Sequence, residues 1–298
     1  MEETLFFPRT DLAAERHRAD LSVAGVRYTK TAVGEIESEW LDVSSAAGAE
    51  SIGKPCGRYV TYSFPALSEC DAKTRATLSA LISERLLESV TRMTGKSRIK
   101  ELSILAVGLG NRKMTADSVG TETAERIHAT AHIRDVDPAL FQKMGCAAVS
   151  VVTPGVLGDS GIEAADRVRA LVPYLHPDAV LVFDALAARA FSRVGRTVQI
   201  ADSGISPGSG IGNRRRAITK ETVGVPVIAV GVPTVTDTMT LLSDALSEIN
   251  DPAVRQRCTE LSKARNDSFV SPSNCDVLVT EVAELLSEAV NTTFGITL

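Results

Sequence analysis

Apolar residues return along the chain with two different periods, and the switches between them outline its elements. Over 22–64, three runs at 26–33, 36–43 and 58–64 mix β-branched and aromatic residues with polar ones, and Gly and Ser separate them; this predicts a small antiparallel meander. From Asp71 to Met93 the period changes. Leu78, Leu81, Ile82, Leu86 and Val90 recur at helical spacing and predict an amphipathic helix of several turns. The middle of the chain then alternates. Strand-like runs at 103–107, 147–152, 179–183, 197–201 and 225–230 are interleaved with or followed by helical stretches near 118–131, 160–171 and 236–248, and closing helices are expected over 252–264 and 276–291. Such alternation implies βαβ units and an α/β fold with a mostly parallel sheet, covered on both faces. Residues 1–20 are charged and aperiodic, so they read as an arm without fixed structure.

Composition sharpens this reading. Of the 298 residues 44% are hydrophobic but only 4% aromatic, so Val, Ile, Leu and Ala must fill the interior, which suits buried strands under Ala-rich helices. The net charge is −5, Arg214–Arg215–Arg216 is the only run of three arginines, and no basic stripe interleaves with aromatics. Direct nucleic-acid binding is not expected. Five scattered cysteines, without CxxC spacing, argue against a disulfide framework or a structural zinc site. The acidic start Met1-Glu2-Glu3 lacks the features of an export signal, and no 18-residue apolar stretch occurs, so a cytoplasmic chain that does not span a membrane is expected.

In open α/β sheets chemistry gathers at the carboxyl ends of strands, and two acidic residues satisfy that filter. Asp117 follows the run at 103–107 through Gly108-Leu109-Gly110-Asn111 and Thr115-Ala116; its plain alternative is a helix N-cap. Asp184 directly follows the run at 179–183, where burial would raise its pKa; its plain alternatives are a cap or a partner for Arg189. If the two converge, repulsion lets one keep a proton while the other stays ionised, which suits activation of water and protonation of a leaving amide nitrogen. Other constellations are weaker. His128 and His132 have the i,i+4 spacing of a zinc pair but no Glu follows His128, and no GxSxG elbow accompanies the serines. The Gly-rich basic stretch with Gly208, Gly210, Gly212, Asn213 and Arg214 fails the P-loop pattern and reads as a substrate-binding loop.

The motifs Arg9-Thr10-Asp11-Leu12-Ala13, Gly57-Arg58-Tyr59-Val60-Thr61, Val107-Gly108-Leu109-Gly110-Asn111 with Thr115-Ala116-Asp117, and Asp184-Ala185-Leu186-Ala187-Ala188-Arg189 resemble the germination protease family of spore-forming bacteria. So do Pro154-Gly155-Val156-Leu157-Gly158 and the long stretch from Gln199 through Val235. The resemblance implies an atypical aspartic endopeptidase with Asp117 and Asp184 as its catalytic pair and no cofactor or metal. It implies a three-layer α/β/α fold, phosphorylase/hydrolase-like and similar to hydrogenase maturation endopeptidases, with the small N-terminal antiparallel element attached. It further implies small acid-soluble spore proteins as substrates, residence in the forespore or spore core, and a homotetramer.

Family substrates are cut after an acid, before an apolar residue followed by Ala, a small residue and an acid. Thr10-Asp11-Leu12-Ala13-Ala14-Glu15 reproduces that order, so residues 1–11 are a candidate propeptide, trimmed between Asp11 and Leu12, ahead of a single catalytic domain over 12–298. That domain would comprise the meander at 22–64, the core sheet at 100–248 and closing helices at 252–291. The plain alternative makes Asp11 the cap of a short helix. Two departures stand out: the usual Thr-Pro-Asp reads Thr115-Ala116-Asp117, and the bridge between Asn250 and Asp276 is short. The competing functions are a metal-dependent maturation endopeptidase using the same carboxylates as ligands, and a non-enzymatic phosphate- or nucleotide-binding module built on the Gly-rich loop.

Overall fold

Alternation of side chains along β4 (Ser103–Gly108) shows how the interior is divided. In the computed structural model, which describes residues 9–17, 23–208, 215–247, 253, 256–257 and 268–296, Ile104 and Ala106 enter one apolar cluster while Leu105 and Val107 enter another. The first cluster gathers Leu78, Ile82 and Leu86 of the helix Ala72–Thr94 with Val279, Val282 and Leu286 of the helix Cys275–Thr293. The second gathers Ala165 and Val168 of the helix Ala164–Leu175. A strand that is apolar on both faces needs cover on both, and the continuous Val/Ile/Leu runs of the sequence reflect this.

The remaining strands are β1 (Val26–Val33), β2 (Ile36–Val43), β3 (Gly57–Ser63), β5 (Ala148–Val152), β6 (Ala179–Ala188), β7 (Thr197–Ala201), β8 (Val227–Asp237) and β9 (Phe269–Val270). They form a single sheet in the order β1-β2-β3-β7-β8-β6-β4-β5, with β9 added to β8. The expected mostly parallel sheet is corrected here. Only β5-β4-β6-β8 run parallel; β1-β2, β2-β3, β3-β7, β7-β8 and β8-β9 are antiparallel pairs. The cause lies in the connection 189–196, which is too short to travel back along the sheet. A parallel return needs a crossover of roughly a dozen residues or more. Strand β7 therefore comes back antiparallel, and it joins the N-terminal meander to the core as one continuous sheet.

Several helices exceed or differ from the expected pattern. A helix at Ala46–Ile52 starts on the Ser45 hydroxyl, which accepts from the Gly48 amide, and stops at Gly53 in the left-handed region. The stretch expected as one helix near 118–131 ends at Arg126, and separate helices follow at Ala131–Val136 and Pro138–Met144. His128 and His132 thus lie on different segments, which removes the i,i+4 pairing. The helix expected over 252–264 falls almost wholly outside the described residues. Among the described residues no helix is long and apolar enough to cross a membrane.

One close contact fixes the helix Val119–Arg126 against the end of β4 and the middle of β6. A Cβ on Gly120 would fall 2.2 Å from the Phe183 carbonyl oxygen and 2.4 Å from that of Leu109, and one on Gly108 would fall 2.3 Å from the Gly120 carbonyl oxygen. Backbone meets backbone, with no flexible side chain to yield. Overpacking of a tight interior costs about 1–3 kcal/mol. Gly120→Ala is expected to lower stability by that amount or more, read as a reduced midpoint in urea unfolding, whereas Gly158→Ala, where the added methyl meets nothing, is expected to leave it unchanged.

Candidate active site

Strand β4 stops at Gly108 while β6 continues to Ala188 along β8. The Leu109 amide still donates to the Phe183 carbonyl at 2.9 Å, and the next residue of β6, Asp184, has lost its neighbour on that side. Asp184 pairs with Gly231 of β8 in mid-strand. This corrects the expectation of a strand ending at residue 183: the small residues at 185 and 187–188 keep the ladder going. Strand alternation puts Asp184 on the side of Val180 and Val182, above their apolar cluster. It is 5% exposed.

Asp117 comes in from the loop after β4. Gly110, with φ +103°, has its missing Cβ 1.9 Å from the Asp117 carbonyl oxygen and 3.2 Å from its Oδ1, so only glycine lets the turn close over this residue. The Asn111 amide donates to Asp117 Oδ2 at 2.8 Å, and the Thr234 hydroxyl of β8 donates to the Ala116 carbonyl at 2.5 Å. The N-cap alternative fails. Asp117 ends a 3-10 turn at Thr115–Asp117, Ser118 is the cap position of the following helix, and no side chain caps that helix.

The electrostatics tie the two residues together. Desolvation raises the pKa of Asp117, with the Asn111 amide pulling the other way. Asp184 is held well above the ordinary carboxylate range, by burial first and then by the negative charges of Asp117 and Asp11; the Ala185 amide opposes them. A third acid therefore stands at this place, supplied by the N-terminal arm.

That arm is not without structure, as its composition had suggested. Leu12 and Ala13 are fully buried, and Leu12 packs with Leu186, Ala188 and Val194. The Asp11 amide donates to the Ala187 carbonyl at 2.8 Å, and the Ala187 amide donates to Asp11 Oδ2 at 3.0 Å, so the arm extends the free edge of β6 beyond the end of β4. Gln199 of β7 clamps it from the other side: its Nε2 donates to the Asp11 carbonyl at 3.2 Å, and its Oε1 accepts from the Ala13 amide at 2.6 Å. Asp11 does not cap the short helical turn Ala14–Arg16, whose cap position is Ala13 with no side-chain bond.

The docked arm divides a groove into two clefts, each lined by Asp11, Asp184, Leu186, Gly208 and Arg215. One, of about 530 Å³, continues past Lys54, Tyr59 and Gln199. The other, of about 510 Å³, continues past Asp117, Leu157 and Thr234. Of the Gly-rich loop, Gly208 reaches both clefts, while Gly210, Gly212, Asn213 and Arg214 lie outside the described residues.

Sequence reasoning missed Gln199, Lys54 and Glu15. Gln199 was the findable one, a buried polar side chain inside the otherwise apolar run of β7. Lys54 gave no signal; desolvation lowers its pKa to about 8, and the Asp11 carboxylate pulls it back up. Glu15 is anchored on the backbone beyond β6, a long-range contact that no local pattern announces. Among the described residues, no group of three or more His, Cys, Asp or Glu side chains is placed to share a metal ion.

The germination protease family model matches residues 9–256. The chain is 37% identical over 254 residues to a germination protease of Clostridium perfringens, covering 83% of this chain and 76% of the relative. It is 40% identical over 250 residues to that of Bacillus subtilis, covering 81% and 66%, and 30% identical over 311 residues to that of Clostridium tetani, covering 95% and 94%. With a family model matched over residues 9–256 and relatives 37% and 40% identical over most of the chain, the chain belongs to the germination protease family of peptidases.

Proposed function

We propose that the chain is an aspartic-type endopeptidase in which Asp117 and Asp184 share one proton. The observation that carries this reading is the burial of Asp184 with Asp117 as the foremost charge acting on it. A protonated Asp184 and an ionised Asp117 divide the work. Asp117 takes a proton from water as the oxygen attacks the peptide carbonyl carbon, and Asp184 donates its proton toward the carbonyl oxygen. In the breakdown step the C–N bond breaks, the proton held by Asp117 passes to the departing nitrogen, and Asp184 takes back a proton from a hydroxyl of the tetrahedral intermediate as the carbonyl re-forms. The products are a carboxyl terminus and an amine, and the pair returns to a state with one proton. The fold is taken to be the three-layer hydrolase-like arrangement, assembled as a homotetramer and active in the spore core on small acid-soluble spore proteins.

The chain is also proposed to be a zymogen that cuts its own Asp11–Leu12 bond. The docked arm supports this, since it lays a segment of substrate-like order, acid–apolar–Ala–small–acid, through the groove beside Asp184. It also obstructs that groove, so an uncut chain is expected to be idle toward other proteins.

Asp117→Asn and Asp184→Asn are each expected to abolish cleavage of a peptide copying residues 9–17 while the protein stays folded; a folded variant retaining more than about a tenth of wild-type rate would remove that residue from the mechanism. Stability provides a separate check. The pKa of Asp184 is raised in the fold, so the stability linked to its titration is complete below the ordinary carboxylate range and is lost as pH rises through the raised folded value. Asp184→Asn removes that loss. The variant should unfold at a higher temperature than wild type at neutral pH, with the advantage fading as pH falls toward about 4. An advantage independent of pH would mean Asp184 carries no displaced titration.

The zymogen reading predicts that purified wild-type chain, held at mildly acidic pH, yields a species beginning at Leu12 by mass spectrometry. Asp117→Asn should stay whole. A peptide-cutting wild-type enzyme that keeps its original N-terminus would contradict self-processing, and trimming of Asp117→Asn at the same bond would assign the cut to another protease.

A further inference from the structure

Glu15 sits in a site built for a carboxylate. Its Oε2 accepts from the Arg189 amide at 2.7 Å and its Oε1 from the Ala190 amide at 2.9 Å; the Thr10 hydroxyl bonds to Oε2, and Arg193 Nε approaches Oε1 to 3.7 Å. The side chain is only 6% exposed. The amides belong to the turn leaving β6, five and six residues beyond Asp184, so this site is fixed relative to the reacting pair by the strand itself.

The pocket does not depend on Glu15 for its shape. On its far side Arg193 Nη1 donates to Glu39 Oε2 at 2.8 Å, and the Tyr28 hydroxyl donates to Glu39 Oε1 at 2.9 Å, so the guanidinium stays anchored to β2 when Glu15 departs. Two aligned amides that have lost their anion would be left as donors without an acceptor, beside a guanidinium that Glu39 holds in place, which favours another carboxylate there.

We infer that the Arg189–Arg193 pocket is the subsite that reads an acidic side chain four residues beyond the cut bond of a substrate, and that Glu15 is its occupant only in the uncut chain. The inference rests on the proteolytic reading above and places Asp11–Leu12 as the bond cut; counting from Leu12 as the first residue after it, Glu15 is the fourth. Cutting that bond also explains how the pocket empties. It detaches Thr10, whose hydroxyl bonds Glu15 and whose carbonyl holds Arg16, and Asp11, whose amide, carboxylate and carbonyl bind Ala187 and Gln199. It leaves a charged α-amine on Leu12, a residue now fully buried among Leu186, Ala188 and Val194. A new charge in an apolar niche drives the stub outward, and Glu15 leaves with it. The same pocket first docks the precursor's arm and then selects the substrate.

The test uses the full-length chain allowed to mature and two peptides copying residues 9–17, one with Glu and one with Gln at the position of Glu15. Wild type is expected to cut the Glu peptide with a kcat/KM roughly tenfold or more above the Gln peptide, mostly through KM, as loss of a charge-assisted bond pair requires. Arg193→Gln should shrink that ratio several-fold. So should Ala190→Pro, which deletes one amide donor at a residue whose φ of −83° is near that of proline. In both, a third peptide with Asn at the position of Asp11 should be cut less well than the Asp peptide, by the same factor as in wild type. A wild-type ratio within about twofold of unity, or a ratio unmoved in both folded variants, would overturn the subsite while leaving the protease reading intact. Cleavage of neither peptide would overturn both. If one variant fails to fold, the other and the wild-type ratio still decide.

Discussion

A carboxylate taken out of water beside other acids resists carrying a full charge, and this repulsion acts on the buried Asp184 from the half-buried Asp117. Asp184 is placed where β4 has ended and β6 has not, so it gains burial without a neighbouring strand to cover it. Asp117 is delivered to the same place by a turn that only Gly110 permits, over a helix that only Gly120 lets approach. These are costly positions. A buried acid with a displaced pKa weakens the fold at neutral pH, and a fold keeps such groups where their chemistry is used.

The N-terminal arm adds a third acid to the same repulsion, and this gives the geometry a direction. While Asp11 is docked, its charge adds to the raising of the Asp184 pKa. The arm at the same time bonds the free edge of β6 at Ala187, fills the apolar niche of Leu186, Ala188 and Val194 and, through Glu15, occupies the pocket beyond it. Breaking the bond between Asp11 and Leu12 would detach the clamps on Asp11 together, leaving those on Ala13 and Glu15 with the rest of the chain.

The outline of this arrangement was readable from the sequence where the chemistry is local. The bounds of β1, β2 and β7 and the helices Ala72–Thr94 and Cys275–Thr293 follow from hydrophobic period, and Asp117 and Asp184 stand out because they interrupt or follow apolar runs. What stayed hidden depends on contacts between distant segments. The direction of β7 is set by the length of the connection 189–196 and not by any residue in β7. The expected strand stopped at residue 183 because alanine at 185 and 187–188 favours no strand by itself, yet the ladder with β8 carries β6 on to Ala188. The order in the arm comes from Gln199 and from amides of the turn after β6, far away in sequence. The split of the helical stretch that separates His128 from His132 likewise follows packing against β5, where the Thr130 amide bonds the Val149 carbonyl.

The account stands or falls on the proton held at Asp184. A titration of the aspartate side-chain carboxyls by carbon-13 NMR, on full-length wild type and on Asp117→Asn, measures it directly. The account predicts that the Asp184 resonance keeps its protonated shift well above the ordinary carboxylate range, and that its midpoint falls when Asp117 loses its charge. A midpoint in the ordinary range, or one that Asp117→Asn leaves unmoved, would contradict the shared-proton pair.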